Sequence, residues 1–261
     1  MGIPKGAGIF DLNGKAVIVT GSGRGLGKAM ARGLAEAGAS VTICGRSADT
    51  VSATAAELRS EGHAILEVVF EATDRAQCQD LIDATVARFG RLDVMVVNHG
   101  IGGAAPAEEI DPEVWTRIFE TNLTSAFTCA QLAGRQMIAQ GDGGSIVMIS
   151  SSGSLATFDG LTSYGSSKAG VDHMARHLAS EWGAHGIRVN TIAPGYMESH
   201  MKASAARYST PEFIAHIRDR TPLGRKGAPE ELVGPVVFLA SEASSFVTGH
   251  ALLVDGGWCV R

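Results

Sequence analysis

Cysteine is scarce in this sequence, long apolar runs are absent, and neither sign of charge dominates. The four cysteines, Cys44, Cys78, Cys129 and Cys259, are too scattered for a zinc motif or a disulfide framework. No apolar run approaches the roughly eighteen residues of a membrane-spanning helix, and residues 1–10 lack the core of a signal peptide. A net charge of −5 argues against nucleic-acid binding. We therefore expect a cytoplasmic protein with reduced thiols, no metal site, and neither membrane nor nucleic acid as partner.

The arrangement of the apolar residues predicts an α/β fold. Hydrophobic residues make up 45% of the 261 positions, which suits a substantial core. Short apolar runs alternate with helical patterns, and this alternation predicts a parallel sheet covered by helices on both faces. Seven strands are predicted, at residues 15–20, 40–44, 64–70, 92–97, 145–150, 187–192 and 251–254. Long helices are expected at about 111–140 and 161–185, and a shorter one at 230–241. No linker or repeat interrupts the pattern, so residues 1–261 are predicted to form a single domain.

Residues 196–226 are more polar and charged than the chain on either side. The segment follows the carboxyl end of a predicted strand, which is where ligands lie in open α/β sheets. We predict that it forms short helices and acts as a lid over a site. A peripheral insertion with no role in binding is the alternative.

A glycine-rich loop, TGSGRGLG at residues 20–27, lies between the first strand and the first helix. A strand, a glycine loop, a helix and a second strand form the unit that binds a dinucleotide pyrophosphate at a helix N-terminus. The spacing differs from G-x-G-x-x-G because Leu26 occupies the third glycine position. Glycine also marks ordinary turns, so it is the position of the loop between strand and helix that favours phosphate binding.

Tyr164 and Lys168 are four residues apart, which places them on one face if the segment is helical. An ammonium beside a phenol lowers the tyrosine pKa from its usual value of about 10. Such a tyrosine can exchange a proton near neutral pH. Ser151, after the apolar run 145–149, would place its hydroxyl group beside the same reacting oxygen. Tyr-x-x-x-Lys also occurs by chance in many helices, so this interpretation depends on the other motifs.

Taken together, these motifs resemble the short-chain dehydrogenase/reductase family in its compact Tyr-x-x-x-Lys form. The resemblance runs from Lys15 to Trp258 and comprises, in the family's order, TGSGRGLG at 20–27, NHG at 98–100, Asn122, Ser151, YGSSK at 164–168, PGYMES at 194–199 and VTGHALLVDGG at 247–257. It implies a single-domain Rossmann-type fold, a doubly wound parallel sheet of about seven strands flanked by helices. It also implies an enzyme, an oxidoreductase that moves a hydride between a nicotinamide cofactor and a secondary alcohol or its ketone.

The resemblance assigns four catalytic residues. Tyr164 would be the acid/base, and Lys168 would lower its pKa and hold the ribose hydroxyls of the nicotinamide. Ser151 would orient the substrate oxygen. Asn122 would kink its helix and hold a water that links Lys168 to solvent; an asparagine pointing into solvent is the alternative.

The resemblance also implies the residues around the cofactor. Besides Tyr164 and Lys168, these are Gly21, Gly25, Leu26 and Gly27 at the pyrophosphate, Asn98 and Gly100 near the adenosine ribose, Glu71 and Ala72 near the adenine, and Pro194, Gly195, Met197 and Ser199 around the carboxamide. Gly45 occupies the position of the carboxylate that binds a ribose 2′-hydroxyl, and Arg46 follows it. Together with Arg24 in the glycine loop, Arg46 favours NADP(H). NAD(H) is the alternative if both arginines face water.

Four positions depart from the family pattern: Val97, His99, Glu71 and Ser199. None of these four residues would take part in proton transfer. We expect a structural role for His99. The substrate pocket is expected at Gly102, Gly103, residues 152–155, Phe158, Tyr196, His200 and Met201. Basic side chains in the lid favour a polar or anionic substrate. Sugar-acid or polyol ketones, 3-oxoacyl thioesters and cyclic ketones all fit.

The resemblance further implies a homotetramer built through the two long helices and the C-terminal strand. The apolar tail Trp258-Cys259-Val260 fits an interface, or equally a buried terminus. A silent dinucleotide sensor is a rival function, but sensors typically lose the tyrosine or the lysine. An epimerase of the longer related family is another rival. Its T-G-x-x-G-x-x-G loop has glycine where this chain has Arg24.

Overall fold

The computed structural model describes residues 6–198 and 210–260. Seven strands form one parallel sheet in the order β3-β2-β1-β4-β5-β6-β7. They are β1 (Ala16–Thr20), β2 (Ser40–Gly45), β3 (Ile65–Val69), β4 (Val94–Val97), β5 (Gly144–Ile149), β6 (Ile187–Pro194) and β7 (Ala251–Val254). The strand order reverses between β1 and β4, and ligands bind beyond the carboxyl ends of the strands at such a point. The predicted doubly wound parallel sheet of seven strands is confirmed.

Eight α-helices occur in the described part of the chain. They are α1 (Gly25–Glu36), α2 (Ala48–Ser60), α3 (Arg75–Phe89), α4 (Pro112–Phe119), α5 (Ser125–Gln140), α6 (Thr162–Trp182), α7 (Pro211–Arg220) and α8 (Val233–Ala240). Helix α2 was not predicted, because its buried face, Val51, Thr54, Ala55 and Leu58, is too small and polar for a clear apolar period. Of the predicted lid, residues 199–209 lie outside the described residues and α7 is the helix that follows them.

Three predicted helix boundaries were wrong. The single helix expected over 111–140 is divided into α4 and α5 by a π turn at Glu120–Thr124. Helix α6 ends at Trp182, and a 3-10 turn continues to His185. The helix expected over 230–241 begins as a 3-10 turn, Pro229–Leu232, before α8. A continuous helical periodicity in the sequence does not reveal a π turn, whose hydrogen bond spans one residue more than that of an α-helix, or a 3-10 turn, whose hydrogen bond spans one residue fewer.

Hydrophobic cores lie on both faces of the sheet. On one face Ile18, Met95 and Met148 pack against α3, α5 and α6. On the other, Val17 and Val96 pack against α1, α2 and α8. All five residues of β1 are buried, which is why the strand appears in the sequence as a continuous apolar run. None of the helices in residues 6–198 and 210–260 is both long and apolar enough to cross a bilayer.

Helix α1 approaches the start of α8 through Gly33, and this contact gives a test of the packing. A Cβ at Gly33 would lie 2.3 Å from Cγ1 and 3.0 Å from Cβ of Val233, so rotation of the valine cannot relieve the clash. We expect Gly33→Ala to lower stability by about 1–3 kcal/mol, the usual cost of overpacking.

The matched control is Gly234→Ala, because a Cβ there meets nothing within 4 Å. Alanine is a better helix former than glycine by up to about 1 kcal/mol, so this variant should melt at or above the wild-type temperature. Thermal unfolding at matched protein concentration measures both. Equal melting temperatures for the two variants would contradict the packing described.

Candidate active site

A cleft of about 820 Å³ opens beyond the carboxyl ends of the strands. It is lined by sixteen of the eighteen predicted site residues: Gly21, Arg24, Gly25, Leu26, Gly27, Arg46, Glu71, Ala72, Asn98, Gly100, Ser151, Tyr164, Lys168, Pro194, Gly195 and Met197. Asn122 does not line the cleft, since it is buried behind it with 1% of its surface exposed. Ser199 lies outside the described residues. Residues scattered over most of the sequence therefore meet at one edge of the sheet.

The glycine loop has the features of an anion site. Gly21 has a φ of +65°, a conformation that side-chain-bearing residues rarely adopt. A Cβ at Gly27 would lie 2.4 Å from the Gly21 oxygen, so only glycine allows this approach. Helix α1 begins here, its N-cap residue Arg24 makes no side-chain capping bond, and no acidic residue lies in its first turn. Free backbone N–H groups and the positive end of the helix dipole therefore face the cleft, which fits a pyrophosphate.

Asn98 holds the glycine loop in place. Its side-chain Nδ2 donates to the backbone oxygens of Thr20, at 2.9 Å, and Gly21, at 3.3 Å. Its backbone N–H donates to Thr20 Oγ1 at 2.8 Å. The end of β4 is thereby tied to the end of β1 across the point where the strand order reverses. Asn98 thus shapes the loop as well as lining the cleft.

The end of the cleft near β2 is basic and rich in hydroxyl groups. Arg46 follows β2 directly, is 71% exposed in its side chain, and places Nη1 3.7 Å from Oε2 of Glu71. Ser47 is the N-cap of α2 but makes no side-chain capping bond, and it lines the cleft together with Thr50. Sequence reasoning missed Ser47, although a serine beside Arg46 ahead of a helix is a recognisable signal. Guanidinium, hydroxyl and helix N-terminus suit a phosphate better than a lone ribose hydroxyl.

Ser151 and Tyr164 are brought to the same cleft from β5 and α6. Ser151 follows β5 in an extended conformation, and its Oγ accepts a hydrogen bond from the Gly153 N–H at 3.1 Å. The short turn that it caps packs directly on α6, where a Cβ at Gly165 would lie 2.9 Å from the Gly153 oxygen. The serine loop is therefore fixed against the turn of helix that carries Tyr164.

Lys168 lies one turn beyond Tyr164 and is almost completely buried. Its Nζ is 5.9 Å from the centre of the Tyr164 ring and donates a hydrogen bond to the Ile149 oxygen at 2.8 Å. Burial lowers the pKa of Lys168 from 10.5 to about 8, against the opposing effect of the Asp172 carboxylate. The ammonium can therefore lose its proton close to physiological pH.

Asp172, one further turn along α6, is a residue that sequence reasoning missed. Its carboxylate accepts hydrogen bonds from Ser154 and from Thr191 Oγ1, the latter at 2.6 Å. Only 7% of the residue is exposed. The i+4 spacing from Lys168 could have revealed it, by the same argument that links Lys168 to Tyr164. It supplies the negative charge that keeps a buried ammonium tolerable.

Asn122 lies in the π turn between α4 and α5. Its Oδ1 accepts from the Ile101 N–H at 2.8 Å, and its Nδ2 donates to the Ile101 oxygen at 2.9 Å and to Ser167 Oγ at 3.1 Å. The alternative that this side chain points into solvent is wrong. A Cβ at Gly100 would lie 3.1 Å from Asn122 Oδ1 and 3.5 Å from Lys168 Nζ. The side chains of Asn122 and Lys168 therefore both lie beside the backbone at Gly100. π turns such as the one that carries Asn122 are frequent at functional sites.

The substrate end of the cleft has an aromatic wall. Phe158 and Tyr196 line it, and Trp258 packs behind them at ring-centre distances of 5.6 and 4.9 Å. Phe213 of α7 contacts Tyr196 at 5.3 Å. Six of the predicted pocket residues line the cleft: Gly102, Gly103, Ser152, Gly153, Phe158 and Tyr196. Ser154 and Leu155, also predicted, do not line it, and His200 and Met201 lie outside the described residues. Trp258 is thus buried in its own chain, whereas Val260 is 77% exposed.

Comparison with known proteins gives the same family as the site. The family model described as enoyl-(acyl carrier protein) reductase matches residues 21–259. Gluconate 5-dehydrogenase of Gluconobacter oxydans is 38% identical over 249 residues, which cover 95% of this chain and 96% of that protein. L-rhamnose 1-dehydrogenase (NAD(P)(+)) of a Sphingomonas species is 41% identical over 252 residues, covering 96% and 98%.

A solved structure agrees with these relatives. The crystal structure of a gluconate 5-dehydrogenase from Burkholderia cenocepacia in complex with NADP and tartrate has a TM-score of 0.92 at 38% identity, covering 97% of this chain and 98% of that one. Fold, cleft and motifs agree over nearly the whole length. The chain belongs to the short-chain dehydrogenase/reductase family.

Proposed function

We propose that this protein is an NADP(H)-preferring oxidoreductase that interconverts a compact secondary alcohol and its ketone. The observation that carries the proposal is the position of Tyr164 beside the buried Lys168, in the same cleft as the glycine loop. Structural lysines are rarely buried to this degree. A lysine with a pKa near 8 beside a phenol, at a dinucleotide site, is suited to proton transfer.

The chain's own residues would handle the proton and the substrate oxygen. In the reductive direction the Tyr164 hydroxyl donates its proton to the carbonyl oxygen, and in the oxidative direction the phenolate takes it from the alcohol. The Lys168 ammonium stabilises the phenolate, and the Ser151 hydroxyl donates a hydrogen bond to the substrate oxygen. A bound nicotinamide dinucleotide would supply or accept the hydride. The π turn that carries Asn122 lies behind Lys168, and we assign to it a water that connects Lys168 with solvent.

The residues at the β2 end support a preference for NADP(H). Arg46 and Ser47 line the cleft where a 2′-phosphate would reach, and Gly45 removes the carboxylate that would repel it. Arg24 adds a second guanidinium at the glycine loop. The Burkholderia relative was solved in complex with NADP. The Glu71 carboxylate, 3.7 Å from Arg46, opposes this preference because it would repel a 2′-phosphate.

The substrate class that fits best is a six-carbon polyol, sugar or sugar acid. The named relatives act on gluconate and rhamnose, which are compact and polyhydroxylated. The flat faces of Phe158 and Tyr196 suit the C–H face of such a molecule, while Ser151 and Tyr164 hold the reacting oxygen. A 3-oxoacyl thioester is the second candidate, since the family model is described by an acyl carrier protein reductase.

We also propose a cytoplasmic homotetramer. Large apolar side chains are exposed on α4 and α5, namely Trp115, Phe127 and Ile138, and on β7, where Leu253 is 37% exposed. The resemblance assigns assembly to the helices over 111–140 and 161–185 and to the C-terminal strand, so these side chains lie on two of the three elements. All four cysteines are free thiols, which suits a reducing compartment.

Tyr164→Phe tests the catalytic assignment. Removal of the phenol oxygen should lower turnover by about 10²–10⁴-fold, the usual contribution of a general acid/base. Binding of NADPH, measured by nucleotide fluorescence, should change little. Ser60→Ala, which removes an exposed hydroxyl that does not line the cleft, is the control and should keep wild-type turnover. Wild-type turnover by Tyr164→Phe would contradict the acid/base role of Tyr164, whereas no turnover by the unmodified protein would support a dinucleotide sensor instead.

A pair of titrations tests the cofactor assignment. NADPH should bind at least about tenfold more tightly than NADH, a difference of about 1.4 kcal/mol. Arg46→Ala should weaken NADPH binding and leave NADH binding nearly unchanged, because only the 2′-phosphate meets the guanidinium. Arg59→Ala is the control, since its partner is Glu67 and it does not line the cleft. Equal affinities for the two nucleotides in the unmodified protein would show that Arg24 and Arg46 do not recognise a 2′-phosphate.

The buried lysine predicts a pH dependence of stability. The pKa of Lys168 is about 8 in the folded protein and has its ordinary value of 10.5 in the unfolded chain. Between these values the unfolded state binds more protons, so the lysine's contribution to folding stability rises with pH and its cost is greatest below pH 8. The melting temperature of wild type relative to Lys168→Met should therefore rise from about pH 7.5 to about pH 9.5. A difference that stays flat over this range would contradict the burial of the charge.

A further inference from the structure

His99 spans the floor of the cleft and connects two elements of the site. Its Nδ1 is 2.8 Å from Thr20 Oγ1, and its Nε2 is 2.7 Å from Ser125 Oγ. Thr20 is the last residue of β1, immediately before the glycine loop. Ser125 is the first residue of α5, immediately after the π turn that contains Asn122. The imidazole therefore links the start of the dinucleotide loop to the turn behind Lys168.

The surrounding bonds determine where the ring carries its proton. Ser125 Oγ donates to the Thr121 oxygen at 2.6 Å, which uses its only hydrogen. Nε2 of His99 must therefore donate to Ser125. Nδ1 of a neutral ring then accepts from the Thr20 hydroxyl, whose other acceptor, the Val96 oxygen, is more distant at 3.4 Å. Thr20 Oγ1 accepts in turn from the N–H groups of Asn98 and His99. Hydrogen bonds thus run in one direction from Thr20 through His99 and Ser125 to Thr121.

The ring has no part in proton exchange with the substrate. Burial, together with the positive charges of Lys168 and Arg46, lowers the pKa of His99 to about 3. The imidazole is therefore neutral at any working pH, and both of its nitrogens already have partners. Its contribution is the geometry that it imposes on the residues at either end.

That geometry reaches the catalytic centre through the π turn. Thr121, whose oxygen ends the chain of bonds, directly precedes Asn122. Asn122 in turn holds both backbone groups of Ile101, and the neighbouring Gly100 lies against Lys168. We propose that His99 is a positioning residue that fixes the π turn of Asn122 relative to the dinucleotide loop, acting through Ser125 on one side and Thr20 on the other. This inference rests on the role proposed above for Asn122.

Two substitutions at His99 separate its contact with Thr20 from its contact with Ser125. The Oδ1 of His99→Asn can take the place of Nδ1 and keep Thr20, while the contact with Ser125 is lost. The amide nitrogen of His99→Gln can take the place of Nε2 and keep Ser125, while the contact with Thr20 is lost. We expect His99→Asn to lower kcat by about three- to tenfold, the effect of one hydrogen bond, with the Kd for NADPH unchanged. For His99→Gln we expect the reverse, a raised Kd for NADPH and a kcat close to wild type.

Ser125→Ala provides the matched partner variant. It should lower kcat at least as much as His99→Asn, because it also removes the bond to the Thr121 oxygen, and the double variant should show no loss beyond that of Ser125→Ala. Nitrogen-15 NMR of the histidines should place the His99 proton on Nε2. Equal effects of Asn and Gln on both constants, independent losses from His99→Asn and Ser125→Ala, or an imidazolium at neutral pH would each overturn the proposal.

The test also distinguishes this inference from the proposed function. If the unmodified protein reduces neither sugar-acid or polyol ketones nor 3-oxoacyl thioesters, the proposed function fails. A comparison of the NADPH affinities of His99→Asn and His99→Gln still shows whether the imidazole holds Thr20. If the unmodified protein is active and the Asn and Gln variants do not differ, the proposed function stands and the role of His99 is refuted. Melting temperatures of all variants, measured in parallel, identify any loss that comes from unfolding.

Discussion

A buried ammonium is the constraint around which this site is built. Lys168 is 5% exposed, and an isolated charge at such a position would be strongly unfavourable. The Ile149 oxygen at the end of β5 accepts one of its hydrogens, and Asp172 supplies the opposing charge one turn along α6. Asp172 is itself held by Ser154 and Thr191. Satisfying one lysine therefore ties together β5, α6, β6 and the loop that carries Ser151, the elements to which we assign the positioning of the substrate oxygen.

The opposite half of the cleft is also electropositive, but its donors are not matched by acceptors from the protein. There the backbone offers donors without acceptors: α1 begins at the glycine loop with no capping side chain. Arg46 and Ser47 extend this donor surface to the start of α2. An anion lowers the energy of such a surface, whereas a neutral ligand leaves its N–H groups to water. The two halves meet at the strand-order reversal, so a dinucleotide bound along the cleft would extend from the anion site to the buried lysine.

Between these halves, three polar residues fix the floor of the cleft. His99 and Asn98 hold the loop after β4 to Thr20, and Asn122 holds the next part of that loop at Ile101. Every buried polar side-chain atom in the described residues has a partner. A fully bonded polar floor is rigid, and rigidity is what a site needs when the transferred proton and hydride must meet one carbon–oxygen bond.

The sequence by itself determined the strands, most of the helices and the spacing of Tyr164 and Lys168. Fully buried strands such as β1 could be predicted because they are continuous apolar runs. The proximity of Tyr164 and Lys168 could be predicted because residues four apart are neighbours on a helix. Local pattern did not predict α2, whose buried face is small and polar, or the π turn at Asn122. Nor did it predict the partners of His99 and Asp172, which lie on other strands, helices and loops. Those contacts join residues up to 79 positions apart, as between His99 and Thr20, and only the folded sheet brings them together. Periodicity reports which face of an element is buried, whereas the identity of the group across the interface is decided by tertiary packing.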